Sequence, residues 1–258
     1  MKRLLLSFLF LSSLDTYAGP ACISHRGSFK SAPGNSPQSL QKALDLNADG
    51  VEFDIRHTAG GFPILMHDKK LTTATHAIGR NCPLKTNIRN LNLTNIRDKC
   101  VLQGSNNLIK VPLLEEALDV AAPSGKFVFI ELKDAPSPIT EEIIHYYFKD
   151  HPENLRIISF RPRHIDNLRK MKKANWNFWQ KVKGMDLDVT PWGAHSEYGT
   201  NIWSRVFTLR SPRHRRDGIE TSIWNLKNEK QLRKFIKKDI TFITTDEVAL
   251  CMELKSNS

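Results

Sequence analysis

Apolar and polar positions along this chain of 258 residues switch repeatedly between a period of two and a period near 3.6. Gly50-Val-Glu-Phe-Asp-Ile-Arg56 alternates apolar and charged side chains, as a strand with two unlike faces does. Short apolar runs bounded by turn residues follow at Pro63–His67, Lys126–Leu132, Leu155–Ser159, Ile219–Asn225 and Ile240–Thr245, and each predicts a strand. Helical patterns lie between them. Ser36-Pro37 offers an N-cap with proline at the first helical position, followed by Leu40, Ala43 and Leu44 on one face. Ser137-Pro138 repeats that start before Ile143, Ile144 and Tyr147. Leu113, Leu114, Ala117, Leu118 and Ala121 form a third stripe.

Strands alternating with helices predict parallel βαβ units. Roughly eight such units suit a closed (β/α)8 TIM barrel better than an open sheet. Two stretches compete for the sixth strand, "WNFWQKV" at 176–182 and "GMDLDVT" at 184–190. Residues 69–109 break the rhythm: they carry Asn, Thr, Arg and Lys with weak periodicity, and predict a small functional or structural insertion after the third strand.

Composition adds an address. Lys2 and Arg3, the apolar run Leu4–Leu11 and Thr16-Tyr17-Ala18 read as a signal peptide over residues 1–18, with a periplasmic or secreted barrel domain over 19–258. The run is too short to span a bilayer, which takes about 20 apolar residues. An even count of cysteines in an exported chain favours disulfides. Cys82 and Cys100 both fall in the insertion, where a small segment needs a staple. Cys22 lies in the first strand and Cys251 in the last helix, which become neighbours when a barrel closes. The expected pairs are therefore Cys82–Cys100 and Cys22–Cys251. The formal net charge is +11. Such a balance suits an anionic partner, including contact with an anionic membrane surface, and equally plain solubility. The basic run Arg210–Asp217 reads as a solvated loop. No motif points to nucleic acid.

Polar outliers fall at one end of the predicted strands. His25 ends the first strand in "CISHRGSF", Glu52 and Asp54 lie late in the second, His67-Asp68 ends the third and Glu131 ends the fourth. The C-terminal strand ends of a TIM barrel form its active face. Glu52 and Asp54 are two apart and point to the same side of their strand. Carboxylates that close repel each other unless a cation or a donor neutralises them. A hard divalent ion, Ca2+ or Mg2+, held by Glu52, Asp54 and Glu131 resolves that conflict. A lone Glu-x-Asp is more often a salt-bridged pair, and a lone strand-end His a capped surface residue. The three carboxylates Glu52, Asp54 and Glu131 and the two histidines His25 and His67, at the same end of four consecutive strands, shift the balance to a site.

The ordered set "HRG" at 25–27, "EFD" at 52–54, "HD" at 67–68, "VPLLEEAL" at 111–118 and "IELK" at 130–133 resembles the glycerophosphodiester phosphodiesterase family. "ISF" at 158–160, Trp224 in "SIWNL" and "TTD" at 244–246 continue the same order, so the resemblance covers nearly all of residues 22–254. It implies a barrel of the phosphodiesterase type acting on a small glycerophosphodiester. It implies Glu52, Asp54 and Glu131 as metal ligands, His25 and His67 as general acid and base, and Arg26 and Lys133 as the groups that hold the phosphate. Gly27 would then let the backbone turn sharply away from the reacting diester. The sequence departs from the family at Pro33-Gly34-Asn35-Ser36, where Gly34 replaces an acidic residue. Two other readings stand beside this one. A lysophospholipase D-like enzyme would admit an acyl chain through the insertion or the aromatic-rich stretch 176–203, whose plainer role is barrel packing. A non-enzymatic protein binding anionic lipid or polymer would have no need of all three carboxylates and both histidines.

Overall fold

The computed structural model of the chain describes residues 19–30, 32–71, 77–78, 81–102, 109–188, 194–196 and 218–257. The signal-like segment 1–18, the basic run 210–217, Trp192 and Trp203 lie outside the described residues. In chain order the elements are β1 (Ala21–His25), α1 (Pro37–Asp45), β2 (Gly50–His57), β3 (Pro63–Leu65), β4 (Ala77–Ile78), α2 (Leu93–Arg97), β5 (Val101–Leu102) and β6 (Ile109–Lys110). They continue with α3 (Leu114–Ala121), β7 (Phe127–Leu132), α4 (Pro138–Phe148), β8 (Leu155–Ser159), α5 (Pro162–Lys170) and α6 (Trp176–Trp179). Last come β9 (Lys183–Asp188), β10 (Ala194–Ser196), β11 (Thr221–Leu226), α7 (Glu229–Phe235), β12 (Phe242–Thr245) and α8 (Val248–Ser256).

The main sheet runs β1-β12-β11-β10-β9-β8-β7-β2-β3, and an added pairing of β1 with β2 closes it into a barrel. The wall pairs are parallel except around β10, which runs antiparallel to both β9 and β11. One expectation about the wall changes, and one open choice is decided. The run Pro63–His67 is not a wall strand: β3 pairs antiparallel with the end of β2, and β2 pairs directly with β7. The connection explains this, because only Thr58–Phe62 separates β2 from β3, whereas a parallel crossover takes a dozen or more residues. Gly61 at φ 78° closes that tight turn. The sixth strand is β9, from the second of the two competing stretches, and "WNFW" forms α6 instead. Phe178 and Trp179 of that helix are buried in the outer core, and Trp179 Nε1 donates to Glu141 at 2.8 Å. These aromatics serve packing.

The helix starts follow the expected chemistry. At α1, Ser39 N donates to Ser36 Oγ at 3.1 Å and Ser36 N donates to Ser39 Oγ at 3.2 Å, a reciprocal cap ahead of Pro37. At α4, Thr140 N donates to Ser137 Oγ at 3.3 Å. Period two sorts the strand residues. Val51, Phe53, Ile55, Val128 and Ile130 face the helices in the outer core with Leu40, Ala43 and Leu118. Ile23, Phe129, Ile158, Met185 and Phe242 fill a separate inner cluster. Phe127 and Phe129 each meet Phe242 edge-on at 5.0 Å. Arg156 plugs the same end, buried, with a bidentate pair to Glu220 at 2.5 and 2.6 Å.

The insertion has its own antiparallel sheet, β4-β5-β6, and a small core of Leu71, Ile88, Ile96, Leu102 and Val111 packed with Ile64 and Met66. Cys82–Cys100 staples it, and Cys22–Cys251 joins β1 to α8, as expected. Arg97 ties the insertion to α3 through Glu116 at 2.7 and 2.8 Å. Among the described residues no helix is long and apolar enough to cross a membrane.

Candidate active site

Strand register assembles the site. Asp54 on β2 lies opposite Glu131 on β7, and Glu52 lies opposite His25 on β1. One oxygen from each of Glu52, Asp54 and Glu131 falls within 4.8 Å of the others, and all three side chains are buried. His25, Arg26, Glu52, His67, Glu131 and Lys133 line a cavity of about 220 Å³ together with Ile158, Phe160, Trp224 and Thr244. All seven residues implicated by the sequence therefore converge: six line the cavity, and Asp54 joins them through the triad.

Cations and donors surround the carboxylates. Arg26 Nε lies 2.9 Å from Asp54 Oδ2, and Arg26 N donates to Glu52 Oε2 at 3.0 Å. Lys133 Nζ donates to Glu131 Oε1 at 2.7 Å and lies 3.5 Å from Asp54 Oδ1. Asn35 grips Asp54 from both ends: its Nδ2 donates to Oδ2 and its Oδ1 accepts from Asp54 N, both at 2.9 Å. Asn35 and Arg26 both have positive φ, at 58° and 54°, so two left-handed turns face each other across the β1 exit. Gly27 is needed there. Its φ is 74°, and a Cβ would stand 2.4 Å from the carbonyl carbon of Ser39.

Burial acts first on the electrostatics. It raises Glu52 well above the usual carboxylate range, with Asp54 and Glu131 adding to the rise. It pushes Glu131 up to about 7, again with help from Asp54. Asp54 goes the other way: burial is outweighed by Arg26, Lys133, His67 and the Asn35 hydrogen bond, which hold it far below the usual range. One carboxylate is thus firmly ionised, while its two neighbours resist ionisation because burial strips them of water and Asp54 repels them. Glu52 Oε1 and Asp54 Oδ1 are buried without a hydrogen-bond partner. An all-oxygen cluster with orphaned lone pairs fits a hard divalent cation.

Each histidine is oriented by an aspartate. His25 Nδ1 lies 2.7 Å from Asp246 Oδ1, and Asn225 Nδ2 donates to that same oxygen at 2.5 Å. His67 Nδ1 lies 2.9 Å from Asp68 Oδ1. In both rings Nδ1 is engaged, which leaves Nε2 for a reacting atom. Burial lowers the pKa of His67 and so favours its neutral imidazole. Arg56 Nε donates to the His67 carbonyl at 2.8 Å and fixes that segment at the head of the insertion. The remaining wall is aromatic: Phe160 meets Trp224 edge-on at 5.3 Å, and Lys133 Nζ lies 5.4 Å over the Phe160 ring.

Asp246, Asn225, Asn35 and Arg56 extend the site beyond the seven residues with roles assigned from the sequence. A signal existed for the first two, because "SIWN" ends β11 and "TTD" ends β12 at the same barrel face.

A sequence profile described as the Glycerophosphoryl diester phosphodiesterase family matches residues 25–250. The chain is 32% identical over 154 residues to Glycerophosphodiester phosphodiesterase 1 of Homo sapiens, a stretch that covers 58% of this chain and 45% of that protein. The match thus spans less than half the length of that curated relative. In fold it is similar to a glycerophosphodiester phosphodiesterase of Parabacteroides distasonis, with a TM-score of 0.66, 21% identity and coverage of 93% of this chain and 98% of that one. It is also similar to an Oleispira antarctica phosphodiesterase solved with the product sn-glycerol-3-phosphate, with a TM-score of 0.68, 19% identity and coverage of 93% and 98%. The profile runs from the histidine that closes β1 to Leu250 in the final helix, and this chain belongs to the glycerophosphoryl diester phosphodiesterase family.

Proposed function

We propose that the protein hydrolyses small glycerophosphodiesters to an alcohol and glycerol 3-phosphate, with a divalent cation, Ca2+ or Mg2+, held by Glu52, Asp54 and Glu131. The observation that carries this reading is the buried carboxylate triad with orphaned oxygens, set in one cavity with two aspartate-held histidines. When bound, the cation supplies Lewis-acid neutralisation of a non-bridging phosphate oxygen. Arg26 and Lys133 bind the phosphate and meet the remaining charge as it builds. His25 and His67 divide two proton transfers through Nε2. One takes the proton of the attacking oxygen, from water or a neighbouring substrate hydroxyl, and the other protonates the departing alcohol oxygen. Each such transfer contributes about 10²–10⁴-fold. Asp246 and Asp68 keep both rings in the tautomer these roles require.

The cavity favours a small diester over a lipid with an acyl chain. Its volume of about 220 Å³ lies below the roughly 300–1,000 Å³ of sites that hold drug-sized ligands. Residues 19–258 are read as one barrel domain with an insertion at about 69–109, and residues 1–18 as its export leader. The two disulfides suit an oxidising compartment outside the cytosol.

The test is incubation of the protein with glycerophosphocholine and related diesters, with Ca2+, with Mg2+ and with chelator, followed by assay of both products. Release of choline and glycerol 3-phosphate that a chelator abolishes is the expected result. No turnover on any diester, with metal shown to be bound, would leave the anion-binding alternative.

A further inference from the structure

Six large apolar side chains are exposed among the described residues: Phe29, Leu46, Phe62, Tyr146, Phe160 and Trp176. Leu46, Tyr146 and Trp176 belong to helices or their ends. The other three are phenylalanines, and each sits on a segment leaving the C-terminal end of a barrel strand. Phe29 follows β1, Phe62 lies in the turn after β2, and Phe160 comes directly after β8. Their exposures of 40%, 42% and 37% are high for side chains with no polar atom. Phe160 lines the cavity, and Phe29 flanks it: a Cβ at position 34 would touch the Cβ atoms of Phe29 and Arg26 at 3.3 and 3.4 Å.

Charge on these segments, and on the one after β3, has one sign at the surface as far as the first turn of α5; the exposed Asp166 lies a turn further along that helix. Lys30, Lys69, Lys70, Arg161 and Arg163 are exposed. The acid among these segments, Asp68, is half-buried against His67. Glu247, which pairs with Lys30 at 2.6 Å, comes from the loop after β12. Exposed phenylalanines rimmed by basic residues match the interface of an anionic bilayer: the rings suit the headgroup boundary, and lysine and arginine meet lipid phosphates.

We propose that the catalytic face of the barrel docks on an anionic phospholipid surface, with Phe29, Phe62 and Phe160 entering the headgroup layer and Lys69, Lys70, Arg161 and Arg163 contacting lipid phosphates. Docking in this pose turns the cavity mouth toward the headgroups, so that diesters derived from the lipid reach it along the surface. The proposal goes beyond the chemistry above, and its readout is binding alone, so its failure would leave that chemistry untouched.

The test is flotation of the full chain with vesicles of phosphatidylcholine alone and of phosphatidylcholine mixed with phosphatidylglycerol. The parent is expected to float with the mixed vesicles and not with the neutral ones. Lys69→Gln/Lys70→Gln should weaken binding about 30-fold, at roughly fivefold per basic residue near an anionic surface. Phe62→Ala should weaken it by about tenfold or more through lost apolar burial. None of these residues lines the cavity, and an unchanged melting temperature verifies their folding. Lys126 and Lys237 are exposed just before β7 and before β12, at the opposite end of the barrel. Replacing both by Gln should leave flotation unchanged. The proposal is overturned if this control weakens binding as much as the Lys69/Lys70 pair, if that pair floats like the parent, or if the parent floats with neither vesicle or equally with both.

Discussion

Asp54 and Glu131 stand directly opposite each other across the paired strands β2 and β7. Adjacent strands lie about 4.8 Å apart, so the register of one strand pair sets the spacing of two carboxylates with no contribution from a loop. Glu52 joins them by lying two residues earlier on the same face. A slip of one residue in that pairing would put Glu52 and Asp54 on the opposite face from Glu131. The site is as firmly built as the barrel wall.

Removing one member of this set should separate cation binding from proton transfer. Glu131→Gln keeps size and hydrogen-bonding capacity but removes a charge, so metal affinity should fall sharply and added metal should recover part of the activity. His67→Ala should bind metal like the parent and lose about 10²–10⁴-fold in turnover, with no rescue by excess metal. Calorimetric metal titration of each variant beside its rate on a small diester tests both. A Glu131→Gln protein that binds metal and turns over like the parent would refute the triad.

Stability of the metal-free protein should fall as pH rises. Glu52 and Glu131 titrate higher folded than unfolded, Glu131 at about 7 against an ordinary 4.5. Their contribution is complete below the ordinary value and is lost as pH climbs through the folded one. Asp54 has the opposite sign, but its contribution is lost only in acid far below this window. His67, with a lowered pKa, loses its contribution as pH falls, and its 37% side-chain exposure weakens that effect. Melting temperatures in chelator should therefore drop between about pH 5 and pH 8, and the gain from Ca2+ or Mg2+ should be larger at the alkaline end. An equal gain at both ends would contradict the electrostatics of the cluster.

Asp246→Asn should act on His25 and on Asn225, which shares its oxygen. The amide keeps the shape but loses the charge that steadies the ring, so kcat should fall, by at most the ~10²–10⁴-fold of one proton transfer. Metal affinity should stay at the parent value, because Asp246 touches none of the three carboxylates. KM should stay near the parent value, because Asp246 does not line the cavity. A merely structural role would raise KM along with the fall in kcat.

The staple of the insertion should matter to activity through His67. Cys82 and Cys100 are 18 residues apart, and a loop of that size loses about 3 kcal/mol when its bridge is removed. Cys82→Ser/Cys100→Ser should lower the melting temperature and raise KM or lower kcat, because His67 and its carbonyl contact with Arg56 sit at the head of this segment. Non-reduced peptide mapping of the parent should recover both native pairs, and a peptide joining Cys22 to Cys82 or Cys100 would overturn the assignment.

Much of this was legible along the chain wherever a local rule sufficed. Alternation at Gly50–Arg56 separated Glu52 and Asp54 from Val51, Phe53 and Ile55 without knowledge of any partner strand. Ser36-Pro37 and Ser137-Pro138 marked helix starts because capping is local chemistry. Alternation does not carry strand direction, which is why Pro63–His67 resembled a wall strand; the turn containing Gly60 and Gly61 held the missing information. The aromatic run 176–182 has the apolar content of a strand, but Trp176–Trp179 forms a short helix that seats Trp179 against Glu141, a partner 38 residues away. Asp246 was beyond reach as a partner of His25 because 221 residues separate them. They meet through the parallel register of Ser24 with Thr245.

The bond between Cys22 and Cys251 has a consequence for the chain as a covalent object. It spans 229 residues and ties the first wall strand to the last helix. The whole ring of strands and all seven residues proposed for catalysis and binding lie between its two ends or within a few positions of them. A single peptide cut anywhere in that span, such as an extracellular protease makes at an exposed loop, releases no fragment. The nicked protein stays one covalent molecule, with both sides of the cut still held to the barrel, and only a reductant lets the pieces part.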